Sequence, residues 1–162
     1  MPITPFHFGP GAALQAIAPR HVSFLAFCAA NVLIDVESLY NLVHRRHPVH
    51  AFFHTYVGAT LVALAIVAAF WLLRRAGVKR LLPALTLRQV AIGAALGAWS
   101  HVLLDSVMHA DIQPLQPLSA ANGLLRIVPL SVLHWGCLAC GVVAIAIAGI
   151  RYLLKKPGSA KP

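Results

Sequence analysis

The chain has 162 residues, of which 59% are hydrophobic and only 10% charged, far below the roughly 25% charged residues of a soluble domain. Ordinary soluble classes are thereby excluded and a membrane protein is expected. Thirteen Lys and Arg outweigh four Asp and Glu, yet the bases collect between apolar runs, as in loops beside anionic lipid, which argues against a nucleic-acid partner.

Gly9 to Ala18 is apolar but rises only about 15 Å, so a short, half-depth helix is expected, ended by Pro19 and Arg20. No cleavable signal peptide is evident, because a basic leading region is missing. Residues 22–43 predict a span carrying Asn31, Asp35 and Glu37. Residues 55–73 form a charge-free run closed by Arg74 and Arg75, long enough to cross a bilayer. Residues 89–108 predict a third span, with His101 and Asp105, and residues 130–150 a fourth, closed by Arg151. The stretch 110–129, with Pro114, Pro117 and Pro129, reads as a loop or re-entrant cap. Cys28, Cys137 and Cys140 lie in apolar runs and read as small packing residues rather than a redox or zinc pair.

The expected architecture is an all-α integral membrane bundle of four transmembrane helices plus the short N-terminal one. A single domain is expected over 1–156, followed by a basic tail at 157–162. Nine of the thirteen bases lie in the 74–88 loop and the C-terminal tail, which predicts that both are cytoplasmic in a bacterial inner membrane. Arg45 and Arg46, in the 44–54 connection, run against that orientation.

Charged side chains inside spans are costly and mark function by default. Counted at 1.5 Å per residue from the basic ends, His7, Asp35 and His101 lie about 20 Å up, Asp105 and His134 about 26 Å, and His54 about 30 Å. Residues far apart in sequence thus converge on one layer. His101 and Asp105 are four apart and share a helix face, as do Asn31 and Asp35, and as His50 and His54 would if their helix began early. Gly93 and Gly97 continue the His101–Asp105 stripe and would let another helix approach closely.

Imidazole and carboxylate are ligand types that suit zinc and similar ions, and an ion would offset the carboxylate charge within the membrane. The expected ligands are His7, Asp35, His50, His54, His101 and Asp105, around one or two divalent ions. His109, which extends the stripe by another four residues, and Asp111 and His134 are candidates for a supporting layer. Asp35 or Glu37 is the candidate general base. The bland alternative is a set of polar pairs that only join helices.

At these residues the chain resembles the bacterial membrane-bound metal-dependent hydrolases of the YdjM type. Phe6-His7 stands where that family has a histidine before a short helix. Asp35-Val36-Glu37-Ser38 resembles its Asp-rich motif, with Ser38 where the family has histidine. The segment from His50 to Thr55 loosely resembles its two-histidine motif, lacking the Arg-Gly and one residue of spacing. Ser100-His101 through Asp105, with the loop at Pro114 and Pro117, looks like the last element. The order is also similar to the zinc-dependent phospholipase C and P1 nuclease superfamily, where equivalent residues bind zinc and the substrate is a phosphate ester. The resemblance implies Asp105 as a residue shared between two ions. It also implies hydrolysis of a phosphate ester, expected to be lipid-linked or membrane-proximal, near the periplasmic face. A transporter or proton relay, or a metal-stabilised scaffold without chemistry, fits the same residues.

Overall fold

A computed structural model describes residues 4–77 and 85–154. Lys79, Arg80 and the tail from Lys155 onward, including the predicted 157–162 segment, lie outside them. Five helices follow in chain order: α1 (Thr4–Ile17), α2 (Phe24–Val43), α3 (Tyr56–Arg75), α4 (Leu87–Met108) and α5 (Leu130–Leu154). A 3-10 turn, Phe52–His54, precedes α3, and no strand occurs among the described residues. Helices α2 to α5 are each long and apolar enough to cross a membrane, whereas the 14 residues of α1 reach only about 21 Å.

Two boundaries depart from expectation. Helix α1 begins at Thr4 and runs through Pro10, so His7 lies inside it. Proline is tolerated in membrane helices when neighbouring helices re-satisfy the freed backbone, and α5 packs along α1 throughout. Helix α3 begins at Tyr56, not near His50. The Thr55 hydroxyl accepts from the Gly58 amide and sets the start. His50 and His54 are therefore not one turn apart on a helix.

Helix α4 is central, packed between α2 and α3, while α1 bridges α2 and α5. Glycines allow these approaches. A Cβ on Gly93 or Gly97 would strike the Ser23 or Phe27 backbone of α2, and one on Gly9 would strike the Cys137 carbonyl of α5. Alanines 26, 30, 59, 63, 94 and 98 fill the core with Ile34, Val62, Phe70, Val90 and Val102. Outward residues are as apolar as the core: Ile145 is 74% exposed, Trp135 69% and Leu153 69%. Such a surface suits lipid, not water.

The chain between α2 and α3 folds back into the bundle. Buried backbone polar groups need hydrogen-bond partners, and three side chains provide them. Glu37 accepts from the Phe52 and Phe53 amides at 3.2 and 2.6 Å. Asn41 donates to the Pro48 and Val49 carbonyls. Asp111, beyond α4, accepts from the Val49 and His50 amides at 3.0 and 3.1 Å. This re-entrant loop delivers His50 and His54 to the interior, where they are 6% and 0% exposed.

Candidate metal centre

On α2, Asn31, Asp35 and Ser38 fall on one stripe; on α4, Gly97, His101 and Asp105 do. The two stripes face each other, with the loop's His54 closing the gap. His101 Nε2 lies 3.2 Å from Asp35 Oδ1, 3.3 Å from Asp105 Oδ2 and 3.3 Å from His54 Nε2. His54 Nε2 lies 3.4 Å from Asp105 Oδ2 and 3.6 Å from Asp35 Oδ1. The carboxylates of Asp35 and Asp105 complete the group within 4.8 Å. Ligands 2.0–2.1 Å from a tetrahedral ion stand about 3.3–3.4 Å from one another. The observed spacings bracket that edge length.

A second group shares Asp105. His50, His109 and Asp105 also bring ligand atoms within 4.8 Å of one another, and the His50 and His109 rings stack at 4.1 Å. Both Asp105 oxygens, His50 Nε2 and His109 Nε2 are buried without a hydrogen-bond partner among the described residues. Imidazole nitrogens of His7, His54 and His101 stand 3.2, 3.4 and 3.3 Å from Asp105. Unsatisfied buried polar atoms are rare and call for an explanation. Cations held by the two groups would satisfy all four.

Outer contacts fix the tautomers. Asn31 Oδ1 lies 2.9 Å from His101 Nδ1, and an amide oxygen can only accept. Nδ1 therefore carries the proton and Nε2 turns its lone pair to the centre. Asp111 Oδ1, 2.9 Å from His50 Nδ1, acts alike, whereas Ser38 Oγ, 3.4 Å from His54 Nδ1, can donate or accept and orients that ring without choosing its tautomer. Burial and the neighbouring His54 push the His50 pKa down, and burial with His50 pushes His109 down, so both favour the neutral form that ligates. Burial would raise Asp111, but the bonds from His50 outweigh it and hold its carboxyl below the usual range. If the centre holds zinc, Asn31→Ala is expected to weaken its binding by about 10–100-fold, the usual cost of losing such a partner, with the helical content unchanged. Competition against a chelating dye measures it.

Of the residues singled out in the sequence, Asp35, His50, His54, His101, Asp105 and His109 are brought together. His7 stands outside both groups; its Nε2 is 3.2 Å from Asp105 Oδ1 and its Nδ1 3.1 Å from His101 Nδ1. Asp111 supports His50. Glu37 is turned away, with both oxygens engaged by loop amides, because it lies on a different α2 face from Asp35. His134 packs on Phe6 and, with His7 and His109, lines a cavity of about 320 Å³ between α1, α4 and α5. The sequence reading assigned no role to Asn31, Ser38 or Asn41. The signal was there, since 31, 35 and 38 form one stripe and 37 and 41 another.

The family model described as YdjM inner membrane protein matches residues 4–158, nearly the whole chain. The chain belongs to the YdjM inner membrane protein family. No curated protein and no solved structure matches it. Membership in the YdjM family agrees with four helices fit to cross a membrane and with the apolar outer surface. The match spans both groups of buried histidines and aspartates, so the centre lies within the YdjM family region.

Proposed function

We propose that this protein is a membrane-embedded metal-dependent hydrolase of phosphate esters, using one or two divalent ions, zinc by ligand type. The observation that carries the reading is the pair of ligand groups joined at Asp105, one with four members and one with three. Asp35, His54, His101 and Asp105 would hold the first ion, and His50, His109 and Asp105 the second. When bound, such an ion supplies Lewis acidity and lowers the pKa of water to about 7. Glu37 is engaged with the loop, so Asp35 is the carboxylate retained as candidate general base, through whichever oxygen does not hold the ion. His7 Nε2, 3.2 Å from Asp105 Oδ1, would help position that carboxylate. Asn31, Ser38 and Asp111 keep three imidazoles aimed.

The bases favour a site near the periplasmic face. Arg20, Arg74, Arg75, Arg88 and Arg151 gather at the opposite helix ends, the side expected in the cytoplasm. An ion relay is disfavoured by the apolar core between the centre and those ends, built of Ala26, Ala30, Val62, Ala63, Phe70 and Val90.

The test is protein purified in detergent without chelator, assayed for zinc and for hydrolysis of a chromogenic phosphate monoester and diester. The expected result is about one or two equivalents of zinc, with hydrolysis lost on chelation and restored by zinc. Bound zinc without hydrolysis of either ester would point to a scaffold. No zinc, even when offered back, would leave a relay.

A further inference from the structure

We infer that the groove between α1 and α2 is a slot for the aliphatic chain of the substrate, and that this substrate is a single-chain amphiphile with a phosphate-bearing head. The inference rests on the hydrolase reading and names its substrate class.

The groove encloses about 450 Å³ and is walled by Pro5 and Phe8 of α1 and by Val32, Val36, Leu39 and Leu42 of α2. These α2 walls face outward; Leu39 is 62% exposed and Val36 52%. The floor is polar, made by Asp35 and Ser38. In the four-member group the side chains of His54, His101 and Asp105 are 0% exposed, whereas that of Asp35 is 14% exposed. The groove is what reaches it.

Depth decides the occupant. Asp35 is eleven residues from Phe24 and eight from Val43, about 16 Å and 12 Å from the two ends of α2. It lies well inside a hydrocarbon layer of about 30 Å. A carboxylate opened sideways at that depth is costly and belongs to a functional path. A water-soluble ester would have to cross lipid to enter there. An ester carried on a chain already dissolved in the bilayer enters sideways, chain along the apolar walls and head toward Asp35. The volume lies toward the small end of ligand pockets, which run from about 300 to 1,000 Å³, and suits one chain rather than two.

The test uses a non-hydrolysable alkyl phosphonate with a diazirine in its chain, and the same chain ending in an alcohol. Each is photolysed with zinc-loaded protein in lipid nanodiscs, and labelled peptides are mapped by mass spectrometry. The phosphonate is expected to label Phe8 and residues 32–42 at least fivefold more than the outer face of α5 around Val142 and Ile145, and the alcohol is expected to lose that preference. Leu39→Trp, which fills the groove, is expected to cut the labelling at least fivefold with zinc content kept at the wild-type level. Labelling spread evenly over the lipid-facing helices, equal labelling by the alcohol, or undiminished labelling in Leu39→Trp would overturn the slot. Confined labelling without turnover of any phosphate ester keeps the slot and removes the hydrolase reading. Turnover of soluble esters with dispersed labelling does the reverse.

Discussion

On the proposed function, Asp105→Asn is expected to abolish zinc binding and hydrolysis together. The carboxylate is the one residue common to both ligand groups, and its side chain is 0% exposed. Asparagine keeps the shape but removes the charge that offsets a divalent ion, and an amide is a poor ligand for zinc. The loss should exceed the about 10–100-fold that a supporting partner such as Asn31 costs. Zinc measured by atomic absorption, beside a gel-filtration profile matching wild type, separates loss of the site from loss of the fold. Full zinc occupancy in Asp105→Asn would sink the shared-carboxylate arrangement. Full zinc with no hydrolysis would keep the ion and move Asp105 into the chemistry.

The second large effect is expected at a residue with no side chain. Gly97→Val places a Cβ against the Phe27 carbonyl and main chain of α2, where nothing flexible can yield. Overpacking of this kind costs about 1–3 kcal/mol and sometimes more, and a backbone collision belongs at the upper end. The consequence reaches beyond stability. Asn31 and Asp35 ride on α2, His101 and Asp105 on α4, so moving the helices apart separates the ligand atoms. A lowered thermal midpoint in detergent and weakened zinc binding should appear together. Gly149→Ala is the comparison, because a Cβ there meets nothing within 4 Å, and its effect should stay within about 0.5 kcal/mol. Equal melting of the two variants would refute the close-contact argument.

The helices were legible because hydrocarbon imposes long apolar runs, and every predicted span is a helix. The layer of histidines and carboxylates was legible for the same reason, since depth follows from counting residues along a straight helix. Asp35, His101 and Asp105 are gathered in that way. Counting fails where the chain is not a helix. His50 and His54 reach the centre because Glu37, Asn41 and Asp111 draw a loop inward. Those contacts join residues up to 62 positions apart and leave no periodic trace. The same blindness made Glu37 look like a catalytic carboxylate. An acid in a span signals a cost that must be compensated, but it does not say whether an ion or a pair of backbone amides compensates it. The apolar run that marks the short helix starts at Gly9, whereas α1 starts at Thr4 and carries Pro10 inside it, packed against α5.

The re-entrant loop also bears on biogenesis. Apolar helices can enter a bilayer one by one and associate afterwards, but the 49–54 backbone finds its side-chain partners only when α2 and the chain after α4 stand beside it. Its carbonyls and amides are satisfied by Glu37, Asn41 and Asp111, which come together only in the assembled bundle. His50 and His54 therefore arrive last. On the proposed function, an ion could be held only after the bundle has packed, so metal loading would be a step after membrane insertion.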